Sequence, residues 1–280
     1  MNSVARRLLI RPGALGDCIL SLPALAHLRA PYTEVWAPTA VLPLIRFADS
    51  VQAIGATGLD RVGVGDLKPA PALIAKLRSF DSIVSWYGAN RPEFRDVLAQ
   101  LGLSCEFHPA LPPADFAEHA VDFFAGQVGA PPGLIPRIPV PPVRKRNAIV
   151  IHPLSGSKRK NWPLENFREL ATRLPMPVEW SAGPEEDLPE AKRFEDLFAL
   201  ATWIAGARLY IGNDSGITHL ASAAGATVLA LFGPTDPNVW GPRGENASIV
   251  RGTPLEFLSV ENVAAEAIRL IDKEQERRGS

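Results

Sequence analysis

Short apolar runs alternate along this chain with longer stretches whose apolar residues recur three and four positions apart, the pattern of strands separated by helices. Arg7 to Ile10 reads as a buried-type strand and RPGALGD after it as a glycine-containing turn. Apolar residues from Ile19 to Leu28 then fall at helical spacing, with Pro23 a kink near the first turns. Further strand-like runs lie at Glu34 to Trp36, Val51 to Ile54 and Ser82 to Trp86, and helix-like runs such as APALIAKLRSF at 70–80 and PEFRDVLAQLG at 92–102 separate them. In PPGLIPRIPVPP at 131–142 proline recurs too often for a helix or a central strand, so this stretch reads as a domain linker. The alternation then restarts, with a strand at Ala148 to Ile151, a helix from Pro163 to Leu174, a strand at Val178 to Trp180 and a helical region to Ala205. The last segment places Val260, Val263, Ala264, Ala267, Ile268 and Ile271 on one helical face.

The stretch from Arg208 to Gly233, RLYIGNDSGITHLASAAGATVLALFG, organises the second half as strand, tight turn, helix and strand. Asp214 and Ser215 fall where that helix begins. Backbone N–H groups there lack intrahelical partners, and with the helix dipole they can hold a phosphate. The plainer alternative is that NDSG is a cap and a turn and nothing more. The turn GPTDP, from Gly233, follows the next strand. Strands alternating with helices predict an α/β protein with parallel sheets. The linker divides it into two Rossmann-like domains, 1–142 and 143–280, with a cleft expected between them and ligands expected outside the carboxyl ends of the strands.

Composition narrows the function. Of 280 residues, 46% are hydrophobic and 21% charged, as in an ordinary globular protein, and 29 basic against 30 acidic residues give nothing that would attract nucleic acid. Two cysteines, Cys18 and Cys105, are too few for a disulfide framework or a zinc site, and the count suits a reducing cytoplasm. The N-terminal apolar run is closed at once by Arg11, unlike a signal peptide. The uncharged stretch around Ser215 to Thr235 is long enough to span a bilayer, but its His219, glycines and Pro234 mark it as core.

Three turns carry candidate chemistry. PGALGD lacks the GxGxxG spacing with a downstream acid, which disfavours a nicotinamide enzyme, yet it presents Asp17 at a helix start. That carboxylate is either a proton acceptor or an N-cap. In IHPLSGSKRKNWP at 151–163, Ser155, Gly156 and Ser157 offer hydroxyl and backbone donors, and Lys160 is a charge that could neutralise a diphosphate or simply a surface lysine. In SAGPEED at 181–187, Glu185 or Glu186 is placed to accept from ribose hydroxyls, or is a solvated helix start. His219 lies one turn into the central helix. No DxD pair or HxxxH spacing occurs, so no metal is expected, and no GxSxG elbow is present.

The combination of RPGALGDCILSLPAL at 11–25, SGSKRKNWPLENF at 155–167 and NDSGITHLASAAGATVLALFGPTDP at 213–237 resembles glycosyltransferase family 9, which includes the ADP-heptose:lipopolysaccharide heptosyltransferases. The resemblance implies a GT-B fold, with acceptor bound mainly by the first domain, nucleotide-sugar by the second, and a C-terminal helix packing back towards the first. It implies an inverting, metal-independent transfer with no cofactor besides the nucleotide-sugar substrate. The partners are then that donor and a glycolipid or glycan acceptor, with peripheral membrane contact at the cytoplasmic face of the inner membrane.

By motif, the catalytic base falls on Asp17 and the donor-phosphate lysine on Lys160, with Ser155 and Ser157 upstream. The ribose glutamate falls on Glu185, with Glu186 one position on. The diphosphate loop falls on Asp214, Ser215 and Gly216, with His219 behind it and Thr235 close. Two alternatives are a nucleotide-sugar-binding partner protein without catalysis and a GT-B nucleotide-sugar epimerase; the presence of both Asp17 and Lys160 favours the transferase. The chain is short for the family, and Cys18 beside Asp17 suggests an activity sensitive to oxidation.

Overall fold

A computed structural model describes residues 4–65 and 68–279. The chain divides into two compact units. The first runs to Phe116 and resumes from Ala120 to Leu134; the second comprises Ala117–His119 and everything from Ile135 on. The boundary between Leu134 and Ile135 falls inside the proline-rich stretch, which forms neither helix nor strand.

In the first unit the strands β1 (Arg6–Ile10), β2 (Tyr32–Ala37), β3 (Ser50–Ala53), β4 (Ser82–Ser85) and β5 (Cys105–Phe107) form one parallel sheet in the order β3-β2-β1-β4-β5. The helices are α1 (Leu15–His27), α2 (Pro71–Arg78), α3 (Pro92–Gln100) and α4 (Ala120–Gln127). Leu8, Leu9 and Ile10 are fully buried, as in a central strand covered on both faces. Leu73 and Leu77 of α2 and Phe94 and Leu98 of α3 pack with Leu8, Ile10 and Trp36. Pro71 and Pro92 open their helices, where a missing N–H costs nothing.

Helix α1 begins four residues before the first position of the apolar periodicity, and Pro23 lies inside it. The early start follows from Gly13, whose φ of 121° turns the chain in a conformation other residues rarely adopt. The pattern gave no sign of β5, an edge strand with no fully buried residue, or of α4.

The second unit repeats the plan. Its strands are β6 (Ile149–His152), β7 (Val178–Trp180), β8 (Leu209–Asn213), β9 (Val228–Phe232) and β10 (Ala247–Arg251), parallel in the order β10-β9-β8-β6-β7. The helices are α5 (Leu164–Arg173), α6 (Leu197–Ala205), α7 (Gly216–Ala223), α8 (Pro237–Trp240) and α9 (Val260–Gly279). The uncharged stretch is α7 and β9, core as expected, and among the described residues no helix is long and apolar enough to cross a membrane. Helix α9 lays Val263, Ala267 and Ile271 into the core of the second unit and packs on α5 and β8.

Each sheet has one place where the chain's direction of winding reverses. In the first it lies between β1 and β4, in the second between β6 and β8. Loops at the carboxyl ends of such strand pairs diverge and leave a crevice open to ligands.

Candidate active site

In the second unit the loops after β6 and β8 meet at the reversal. Asn213, the last residue of β8 and fully buried, joins them: its Oδ1 accepts from the backbone N–H of Trp162 at 3.0 Å, and its Nδ2 donates to the Pro153 carbonyl at 2.6 Å. The indole of Trp162 donates in turn to the Leu258 carbonyl at 3.0 Å. With both ends of the 153–162 loop clipped to the strand, Lys160 reaches Asp214, Nζ to Oδ2 at 2.7 Å. The Asp214 side chain is 6% exposed and that of Lys160 35%. An ammonium has three donors, so Lys160 keeps hydrogen-bonding capacity beyond the one spent on Asp214.

Ser215 caps α7, its Oγ accepting from the Thr218 N–H, while the Thr218 hydroxyl donates to the Asn213 carbonyl at 2.5 Å. Gly216 opens the helix, so its first amides and positive dipole end lie beside Lys160 and Asp214. Asp214 is thus the anchor of the cation in this loop, an arrangement that residue spacing alone did not reveal. Thr235 sits half-buried in the turn after β9, ahead of Asp236, which caps α8.

His219 is buried one turn into α7, and among the described residues its Nδ1 finds no hydrogen-bond partner. Burial pushes its pKa down to about 4; the Asp214 carboxylate opposes that fall, and the charges of His119 and Lys160 add to it. His119 belongs to the short segment that joins the second unit, where its Nε2 lies 2.9 Å from the Gly241 carbonyl. The sequence gave no reason to single out His119 or Asn213.

Ser155 turns its hydroxyl into its own loop, donating to Asn161 Oδ1 at 2.6 Å and lying 3.0 Å from the Ser157 carbonyl. Gly156 is exposed and Ser157 half-buried. After β7, the Gly183 N–H donates to Glu186 Oε2 at 2.6 Å, and that oxygen lies 3.5 Å from Nε2 of the buried His152. Burial holds His152 below the usual imidazole range, against the pull of Glu186 and Ser181. Glu185, one position earlier, is exposed.

In the first unit Asp17 stands half-buried in the first turn of α1, after β1 at the reversal. It is not the N-cap: Ala14 occupies that position and makes no side-chain cap, so the capping alternative fails. The neighbouring Cys18 is buried, and burial lifts its thiol to about 11, with Asp17 adding to the rise and Arg11 opposing it. Burial and a raised pKa both disfavour the reactive thiolate, which weighs against the expected sensitivity to oxidation.

Comparison with known proteins bears on both units. Residues 195–262 match the model for glycosyltransferase family 9 (heptosyltransferase). Lipopolysaccharide heptosyltransferase 1 of Escherichia coli (strain K12) is 30% identical over 124 residues, covering 38% of this chain and 38% of that protein. The enzyme of the same name from Salmonella typhimurium (strain LT2) is 34% identical over 104 residues, 31% of this chain and 32% of that protein. In these alignments the chain therefore spans well under half of each relative's length. Solved structures are similar over nearly the whole chain. The glycosyl transferase family 9 structure from Veillonella parvula DSM 2008 has a TM-score of 0.75 at 18% identity, covering 97% of this chain and 98% of that one. E. coli ADP-heptose lps heptosyltransferase II has a TM-score of 0.73 at 18% identity, covering 96% and 99%. At that identity the likeness establishes the fold, GT-B with two Rossmann-like units.

Proposed function

We propose that this chain, which is glycosyltransferase family 9-like, moves a sugar from a nucleoside-diphosphate sugar to a surface-glycan acceptor by a single inverting displacement that needs no metal. The donor is ADP-heptose and the acceptor a lipopolysaccharide-core glycan, met by peripheral contact at the cytoplasmic face of the membrane. The observation that carries the reading is the Lys160–Asp214 pair beside the start of α7, at the winding reversal of the second sheet. A carboxylate alone in that loop would repel a diphosphate. Paired with Lys160 it is neutralised, and the lysine's remaining donors with the α7 amides can take up the charge of the leaving diphosphate.

The chemistry follows. An acceptor hydroxyl forms a bond to the anomeric carbon while the bond from that carbon to the diphosphate oxygen breaks. Asp17 takes the hydroxyl proton, and the diphosphate leaves with the electron pair. Gly183 N–H and His152 hold Oε2 of Glu186 to its own loop, while the neighbouring Glu185 is exposed and is the carboxylate assigned to the ribose hydroxyls. The test is a thermal-shift and transfer assay in EDTA with ADP, ADP-heptose and a lipopolysaccharide-core acceptor. A ligand that binds the native state at roughly 100 times its Kd adds about 2.7 kcal/mol of apparent stability. ADP should stabilise the chain, and ADP release should require acceptor. An absolute requirement for a divalent ion, or turnover of donor without acceptor, would sink the proposal.

A further inference from the structure

Arg11 directly follows β1 and is only 1% exposed, so it can touch no substrate, and a buried cation is costly unless something balances it. Three of its five N–H donors go to neutral oxygens. Nε bonds Ser21 Oγ at 2.8 Å, one terminal nitrogen the Pro12 carbonyl at 2.8 Å, and the other the carbonyl of Asp17 itself at 3.0 Å. The guanidinium carbon lies 4.7 Å from the centroid of the Phe124 ring on α4. The acidic groups that act on its charge are Cys18 and Asp17. Cys18 is a protonated thiol at neutral pH, so the balancing charge is Asp17. Both groups border Gly13: a Cβ built on it would stand 3.6 Å from an Arg11 terminal nitrogen and 3.5 Å from Asp17 Oδ2.

Other charges nearby are accounted for. Helix α4 contributes Asp122, which accepts from the Gly133 N–H at 2.8 Å; the turn Thr39–Leu44 that packs on α1 carries no charge, and Arg46 follows it.

We propose that Arg11 is the positioning residue of Asp17, pinning its backbone through the carbonyl and supplying the buried counter-charge that keeps its carboxylate ionised. The rate consequence rests on Asp17 being the base of the proposed transfer; the charge coupling does not. The two are separated by following the Asp17 carboxyl by carbon NMR, assigned by its loss in Asp17→Asn, in the full chain and in Arg11→Gln and Arg11→Lys, with transfer kinetics beside it.

Arg11→Gln removes the counter-charge, and the Asp17 titration should move upward by about one unit or more. The acid limb of the transfer rate should move with it, whereas a merely structural loss would lower the rate equally at every pH. Arg11→Lys keeps the charge but loses the fork, so the titration should stay near wild type while kcat falls about tenfold and the donor KM holds. If Arg11→Gln does not fold, Arg11→Lys decides alone through that split. An unmoved Asp17 titration in folded Arg11→Gln, or a wild-type kcat in Arg11→Lys, overturns the proposal. Wild-type transfer by Asp17→Asn would instead remove the base, leaving the titration to judge the coupling.

Discussion

The winding reversals of the two sheets are built as opposites. In the first unit the cation is buried and fixed, Arg11 at 1% exposure bonding a hydroxyl and two carbonyls, and the half-buried member is the acid, Asp17. In the second the acid is buried, Asp214 at 5%, and the half-exposed member is the cation, Lys160. The buried Asp214 holds the Lys160 ammonium at 2.7 Å, and the buried Arg11 holds the backbone carbonyl of Asp17 at 3.0 Å. A carboxylate offered to solvent suits taking a proton, and an ammonium suits receiving a leaving phosphate. The two crevices thus differ in which charge the fold hides.

The sharpest way to break this contrast is to disable each accessible charge in turn. Asp17→Asn keeps the side chain's size and cannot accept the proton. Transfer should fall roughly 10²–10⁴-fold with donor affinity unchanged. Near wild-type rates at saturating donor would remove Asp17 from the chemistry. Lys160→Ala should act on the other side of the contrast, weakening ADP binding by about 1.5–3 kcal/mol, or roughly 10- to 150-fold. It also leaves the buried Asp214 carboxylate without its ammonium, so the melting temperature should drop, and Lys160→Ala combined with Asp214→Ala should recover part of that loss. Calorimetric affinity for ADP equal to wild type would return Lys160 to an ordinary surface role.

Much of this was legible in the chain before its structure. The apolar periodicity located most of the strands because parallel strands buried on both faces read as short continuous runs, as LLI in β1 and VLALF in β9 do. It passed over β5, whose residues are only partly buried, and over β10 for the same reason. The turns bearing Asp17, Lys160 and Asp214 were legible because glycine and small polar residues punctuate the chain where strands end. Which charges pair was not legible, since Lys160 and Asp214 lie 54 residues apart in sequence and meet only through the order of the strands. Arg11 was passed over for a related reason. In sequence it reads as the polar residue that closes an apolar run, and only the packing of α1 and α4 shows its guanidinium enclosed.

The contrast has a finer consequence for pH. The turn from Pro12 to Asp17 contains no histidine, while His219 sits in the first turns of α7 beside Asp214. Buried and neutral in the folded state at about 4, His219 returns to about 6.5 when the chain unfolds, so the unfolded state binds the proton first as the pH falls. Stability is therefore fully present above pH 6.5 and is lost as the pH falls towards 4. Between pH 7 and pH 5 the loss from this group is about 1–2 kcal/mol. His152, also held low chiefly by burial, adds in the same direction. His219→Gln cannot take up that proton and should flatten the melting temperature across this range, with His152 contributing to the slope that remains. A slope between pH 7 and pH 5 as steep in His219→Gln as in the wild-type chain would show that His219 is not the group being protonated on unfolding.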